Sequence, residues 1–257
     1  YRHTREPEQM ITLRFHASVA KDPDHPEWNE DYFASDGESP TKKCALSDGA
    51  SVSFSPQTWA RRLVHNYLEN TTVDRKWLLS AQAALDAQYD RSTFDLLDDI
   101  GVSEQGSFAS LLGLSSDDEE RTLLVTAIGD SVLAILDPTA EAVLQTFPYT
   151  TSAQFQESPL LVPSLPRHNS SVFSDEVAHQ FTLIKRAEEL SGCTLVLMTD
   201  AIGAWFLKSV EEQDGNWKRL LGMRTPDALH QFVTLEREAH RLRIDDTTLV
   251  VLDYAIS

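Results

Sequence analysis

Cysteine is nearly absent from this chain: Cys44 and Cys193 are the only two among 257 residues. Neither belongs to a CxxC pair or a Cys/His cluster, which excludes a disulfide framework and a zinc site. Each lies in or beside an apolar run and reads as a small core residue. Basic residues are also scarce, 22 against 40 acidic ones, giving a formal charge of −18. So acidic a chain repels phosphate backbones and anionic lipid, so neither nucleic acid nor a membrane surface is an expected partner. No apolar run approaches the roughly 20 residues of a membrane-spanning helix. No signal peptide is visible, and a cytoplasmic location is the expectation. Three catalytic signatures are missing as well. Without a GxSxG elbow a serine hydrolase is disfavoured, and without a P-loop or a GxGxxG turn so are a kinase and a dinucleotide enzyme. What is present is an ordinary globular composition, 41% hydrophobic and 24% charged, on a chain long enough to bury a core without covalent staples.

The hydrophobic pattern changes period along the chain. Residues 11–19 alternate apolar and polar, as a strand with one buried face does. A polar loop with Pro23 and Pro26 leads to Asn29-Glu30-Asp31, followed by short strand candidates at Tyr32–Ser35 and Lys43–Leu46. After Asp48-Gly49 the pattern becomes helical: Trp59, Leu63 and Tyr67 recur every four residues behind Pro56, and a second helix carries Trp77, Ala81, Ala84 and Leu85 on one face. β character returns in Gly106–Leu114, Thr122–Ile128, Ser131–Leu136 and Ala142–Phe147, whose short connections predict an antiparallel meander. Pro148–Ser174 reads as an ordered loop and as the longest candidate lid. Further strands are predicted at Val177–Ile184, Thr194–Met198 and Thr248–Leu252, and helices at Ile202–Glu212 and Pro226–Leu242. Strands at both ends enclose two helical blocks, which predicts one α+β domain spanning residues 1–257.

Four acidic motifs stand beside predicted strands: Asn29-Glu30-Asp31, Asp48-Gly49, Asp200 after Leu195–Thr199, and Asp245-Asp246 before the last strand. A fifth signature, Gly129-Asp130-Ser131, lies between two strands. Singly each has a plain structural reading, since Asp-Gly is a turn dipeptide and an aspartate after a strand caps the next helix. Together, carboxylates at several strand ends can converge on one rim. Hard cations such as Mg²⁺ or Mn²⁺ take oxygen ligands. Two of them about 3.5–4 Å apart can share a carboxylate and lower the pKa of a bound water towards ~7. No side-chain nucleophile is then needed, and the sequence shows none. The eight histidines are scattered, and His25 is the one placed to approach a substrate.

The order Asn29-Glu30-Asp31, Ser47-Asp48-Gly49-Ala50, Ile128-Gly129-Asp130-Ser131, Met198-Thr199-Asp200 and Asp245-Asp246-Thr247-Thr248 resembles the metal-dependent protein phosphatase 2C family, and most closely its compact bacterial branch. The resemblance spans about Ile11 to Tyr254. It implies a four-layer αββα sandwich of two antiparallel sheets flanked by helices. It also implies a centre of two Mn²⁺ or Mg²⁺ ions, where a metal-bound water hydrolyses phosphoserine and phosphothreonine in proteins. Carried over by position, Asp48 would bridge the ions, Asp200 and Asp245 would complete one site, and Glu30 (through water) and the Gly49 carbonyl would serve the other. Asp31 would be a supporting residue and Gly129-Asp130-Ser131 a structural turn. The implied partner is a phosphoprotein, with a serine/threonine kinase as counterpart and a monomer as the active unit. The chain departs from the family pattern where an arginine often precedes the Asn-Glu-Asp motif, since that place falls at Pro26 with only Lys21 and His25 nearby. Ala50 stands where a histidine can protonate the leaving group, and Ala201, Ala204 and Ser103 replace other frequent residues, leaving a third metal unsupported. Two alternatives stay open: a pseudophosphatase or phosphoprotein-binding module with weak or no turnover, and hydrolysis of a small phosphomonoester.

Overall fold

The architecture comes from a computed structural model that describes residues 9–37, 40–173 and 181–256. In chain order its elements are β1 (Gln9–Val19), β2 (Asp31–Ser35), β3 (Lys43–Asp48), α1 (Pro56–Glu69), α2 (Arg75–Asp86), α3 (Leu96–Ile100), β4 (Phe108–Ala109), β5 (Leu111–Asp117), β6 (Thr122–Ile128), β7 (Val132–Asp137), β8 (Ala142–Phe147), β9 (Val162–Pro163), β10 (Thr182–Arg186), α4 (Ala187–Leu190), β11 (Thr194–Met198), α5 (Asp200–Glu212), α6 (Lys218–Leu221), α7 (Pro226–Glu238) and β12 (Thr247–Ile256). The strands form two five-stranded antiparallel sheets, ordered β1-β12-β11-β7-β8 and β10-β6-β5-β3-β2, with a small β4-β9 ribbon beside them.

Strand alternation divides the apolar residues among three cores. Leu195 and Leu197 of β11 point between the sheets, where they join Leu46, Leu112, Leu133 and Val250. Val196 and Met198 point the other way, against Ile202 and Phe206 of α5 and Phe232 of α7. On the far side of the second sheet, Ala45 and Leu111 meet Trp59, Leu63 and Tyr67 of α1 and Trp77 of α2. The result is the expected αββα order, α+β in class. Helix starts follow local chemistry. Pro56 and Pro226 occupy first-turn positions, Asp74 accepts from the Trp77 amide at 2.7 Å, and the Thr225 hydroxyl accepts from the Ala228 amide. Both cysteines are free and buried, as read from the sequence.

Three expectations need correction. The predicted strand Gly106–Leu114 is two strands broken at Ser110, because its first part pairs with β9 in the separate ribbon. The four-strand meander is split, with β6 in one sheet and β7 in the other, so the turn at Gly129-Asp130 carries the chain between sheets. Gly129 has φ +105°, and a Cβ there would lie 2.7 Å from Ser110, so both backbone and space require glycine. The last long helix stops at Glu238, four residues before the predicted Leu242. Of the strand read at Val177–Ile184, residues 177–180 lie outside the described residues; a strand runs over Thr182–Arg186. Within 148–173 the chain is ordered around the turns Ser152–Gln156 and Pro166–Ser171.

One close approach holds the second sheet to α1. A Cβ on Gly113 would fall 2.3–2.6 Å from the Tyr67 ring. Gly113→Ala is therefore expected to cost about 1–3 kcal/mol through overpacking, lowering the melting temperature by very roughly 2–12 °C. Adding Tyr67→Leu should recover part of that loss in the same thermal melt. An unchanged melting temperature in the single variant would show that α1 yields freely.

Candidate metal centre at one rim of the sandwich

Both sheets end their functional strands at the same rim. Asp31 opens β2 directly opposite Asp48, the last residue of β3. Across the gap, Thr199 and Asp200 follow β11 while Asp245 and Asp246 precede β12. A polar hinge locks the two sheets together there. The Thr248 hydroxyl donates to Asp31 Oδ2 at 2.6 Å, and the Thr199 hydroxyl donates to the same oxygen at 3.0 Å. The Thr248 amide in turn donates to Thr199 Oγ1 at 2.9 Å. Asp31 thus links the two sheets at the rim through one carboxylate oxygen.

Asp48, Gly49, Asp200 and Asp245 line one cleft of about 450 Å³, together with Asp130 and Arg243. Its opposite wall is the stretch from Phe155 to Leu161. The turn that leads into it, Ser152–Gln156, is tied to α5 where Ser152 donates from its amide (2.7 Å) and hydroxyl (2.5 Å) to Glu211. Gly49 is held by its amide, which donates to the Glu30 carbonyl at 3.2 Å, and a Cβ there would lie 2.8 Å from Pro56. Asp48 is fixed through its backbone: its amide donates to Ser110 Oγ, and its carbonyl accepts from the Ser110 amide.

Glu30 does not line the cleft. Its carboxylate accepts from Lys21 Nζ at 2.6 Å and from the Ser51 hydroxyl, and Ser51 connects it to the cleft edge. Burial pulls the Lys21 ammonium down, but Glu30 and the charges of Asp246 and Asp245 outweigh that and leave it raised. Asp246 is structural: its two oxygens accept from the Lys21 and Glu30 amides at 2.7 and 2.8 Å, pinning the 20–30 loop to the rim. His25 stacks on Trp28 at 3.9 Å and stands outside the cleft lining.

The electrostatics are those of crowded carboxylates. Burial, then the neighbouring charges of Asp31, Asp200, Asp130 and Asp245, raises Asp48 well above its ordinary value. Burial with Asp246 and Asp200 lifts Asp31 to about 8, and burial with Asp200 lifts Asp130 to about 7. Asp200 is raised chiefly by burial, with Arg243 opposing and Asp245 adding to the shift. Asp31 Oδ1 and Asp200 Oδ1 are buried without a hydrogen-bond partner. Buried carboxylate oxygens left in that state are costly unless a cation or donor reaches them. The donor set, carboxylates plus the Gly49 carbonyl, therefore suits hard divalent ions. Among the described residues, however, no three His, Cys, Asp or Glu side chains are gathered tightly enough to ligate one ion as they stand.

Two cleft residues escaped the sequence reading. Asp130 reads from the sequence only as part of a turn, but that turn crosses between the sheets at the same rim. Arg243 sits in a polar loop where no periodicity marks it, although its place two residues before Asp245 was the available signal.

No family profile and no curated protein sequence matches the chain. Solved structures do. The photosystem II phosphatase PBCP aligns over 96% of this chain and 98% of its own, with a TM-score of 0.56 at 14% identity. The catalytic domain of the serine/threonine protein phosphatase PstP, in complex with two manganese ions, aligns over 96% and 100% with a TM-score of 0.52 at 14% identity. The PP2C phosphatase domain of SpoIIE from Bacillus subtilis, solved with a fragment of its regulatory domain, aligns over 98% of this chain and 64% of that one, with a TM-score of 0.52 at 15% identity. This chain has the protein phosphatase 2C fold.

Proposed function

We propose that this protein hydrolyses phosphoserine and phosphothreonine in proteins with the help of two Mn²⁺ or Mg²⁺ ions. The observation that carries the reading is the convergence of Asp48, Asp130, Asp200 and Asp245 on one cleft in a fold whose solved neighbours include serine/threonine phosphatases. Asp48, at the centre of the mutual repulsion, would be shared between the ions. Asp200 and Asp245 would hold one ion, with the Gly49 carbonyl and Glu30 on the side of the other. Such ions, when bound, lower the pKa of water and offset the charge on a phosphoryl group. The chain's own part is positional. Asp246 and Arg237 fix the loop that carries Asp245, with Arg237 donating to the Asp245 carbonyl and, at 3.2 Å, to the Thr247 hydroxyl. Asp31 keeps the two sheets in register beneath the carboxylates. Phe155, Glu157 and Leu161 complete the lining of the same cleft. A serine/threonine kinase is the counterpart such a substrate requires, and the active unit is a monomer.

A second reading has one specific observation behind it. Arg243 already neutralises part of the carboxylate cluster, as a phosphoprotein-binding pseudophosphatase without turnover would permit.

Hydrolysis of a phosphothreonine peptide with Mn²⁺, with Mg²⁺ and with chelator separates the two. Metal-dependent turnover, reduced on the order of 100-fold or more in Asp200→Ala, is expected, since losing a ligand forfeits several kcal/mol of charge stabilisation. Absent turnover with a retained metal-induced melting shift would favour the binding module. Good activity on free phosphoesters with none on the peptide would move the substrate to a small phosphomonoester.

A further inference from the structure

Arg243 is the sole cation among the described residues lining the cleft. It lies in the connection between α7 and β12, two residues before Asp245. Its Nη2 donates to Asp200 Oδ2 and lies 3.3 Å from Asp245 Oδ2. One guanidinium thereby joins the carboxylate that follows β11 to the one that precedes β12. The neighbouring cations are committed elsewhere: Lys21 to Glu30 and Ser51, Arg237 to the carbonyls of Ala20 and Asp245. Arg243 differs in being 51% exposed, while its partner Asp200 is 15% exposed. The arginine can swing into solvent; the carboxylate cannot follow. Nor does it satisfy Asp200 fully, since Oδ1 of that carboxylate is buried without a partner.

Resting on the reading above, we infer that Arg243 is the resident counter-cation of the site, held between Asp200 and Asp245 where a divalent ion needs the same oxygens, so that an ion binds there by displacing it. Three physical points carry this. A guanidinium remains charged at any pH at which the protein folds, so only another cation or a conformational change can take its place. A charge-assisted pair with a shielded carboxylate is strong enough to matter in a competition. The side chain's exposed half gives the displaced group a solvated position at little cost. Two consequences follow. The metal-free cleft is partly neutralised by the protein itself, and metal affinity at this position is weaker than its carboxylates alone would give.

The test is titration calorimetry of Mn²⁺ into the full chain, beside thermal melts in chelator. Arg243→Gln is expected to tighten one Mn²⁺ site about tenfold, the equivalent of one charge-assisted hydrogen bond. It should also lower the melting temperature in chelator by roughly 2–4 °C. Arg243→Lys, which keeps the charge but loses the planar fork, should fall between the two and serves if the Gln variant does not fold. Wild-type protein that binds Mn²⁺ with an affinity the Gln or Lys variant leaves unchanged or weakens would overturn the competition while sparing the metal centre. Wild-type protein that binds neither Mn²⁺ nor Mg²⁺ would overturn both, with Arg243 then a permanent counter-charge.

Discussion

Asp48→Asn is expected to abolish metal-dependent turnover and, in the same molecule, to raise the melting temperature of the chelated protein. The two effects share one cause. Asp48 ends β3 facing the charges of Asp31, Asp200, Asp130 and Asp245, and burial together with that repulsion opposes its ionisation. Asparagine keeps the shape and removes the charge. In chelator the variant should gain about 1–2 kcal/mol, the order of relieved repulsion between partly buried like charges, or roughly 2–8 °C at this chain length. With metal the ranking should invert. At ~100 times its Kd, an ion that binds only the folded state adds about 2.7 kcal/mol, a rise of very roughly 5–11 °C. The variant, lacking the carboxylate proposed to be shared by both ions, should rise little. Loss of several kcal/mol of charge stabilisation corresponds to a fall in turnover on the order of 10³ or more. Melts of both proteins in chelator and in Mn²⁺, beside the phosphopeptide assay, decide the matter. A variant that kept a tenth of the activity, or the full metal-induced shift, would remove Asp48 from the centre.

The ligand candidates were legible because each sits where a strand period ends, and a strand end is the best-marked boundary in this sequence. Leu195–Met198 could be read as a buried strand, so Asp200 had to stand at its tip; the same holds for Lys43–Leu46 and Asp48, and for Thr248–Leu252 and Asp245. Period-2 alternation says that a strand has two faces but not which sheet it joins. From the pattern alone the passage from β6 to β7 therefore reads as a hairpin, and Asp130 as part of a turn, whereas the chain changes sheets there and Asp130 lines the cleft. The pairing of Glu30 with Lys21 depends on a loop closed by Asp246 from the far end of the chain. Side-chain reach across 225 residues leaves no local trace. Short elements such as α3 were missed for another reason: Leu96 and Leu97 are each 75% exposed, so no apolar stripe marks the turn.

The departures from the family pattern look different once the neighbours are known. Ala50 brings no polar side chain to the cleft, and its amide is already used in donating to the Phe108 carbonyl at 2.8 Å. Lys21, one of the two cations near Pro26 in sequence, is committed to Glu30 and Ser51. Positive charge at the cleft is thus concentrated on Arg243, in the loop that leads into the sheet opposite the Asn29-Glu30-Asp31 motif.

Glu236→Ala is expected to be strongly destabilising although the residue lies away from the cleft. Glu236 lies on the inner face of α7 and is 1% exposed. Its carboxylate accepts from Trp205 Nε1 at 3.1 Å, from Arg219 Nη1 at 2.7 Å, and from Arg241 Nε and Nη2 at 2.7 and 3.0 Å. One side chain thereby ties α5, the α6 turn and the segment leading to Asp245 into a unit. The Arg241 bonds, with those from Arg219 and Trp205, outweigh burial and hold the carboxyl down at about 2, against an ordinary 4.5. Truncation leaves a buried indole N–H unpaired and two arginines without their partner. Both arginines are about half exposed, so water softens the loss to about 2–3 kcal/mol, below the cost of breaking a fully buried pair. At this chain length that is very roughly 4–12 °C of melting temperature. The pH dependence gives a signature that mere loss of packing cannot imitate. A carboxyl with a depressed folded pKa contributes its stability above about 4.5 and loses it as pH falls towards 2. The urea midpoints of wild type and Glu236→Gln should therefore differ most at neutral pH and converge as pH falls below about 4.5. A constant gap across that window would mean that shape, not charge, is what α7 requires at this position.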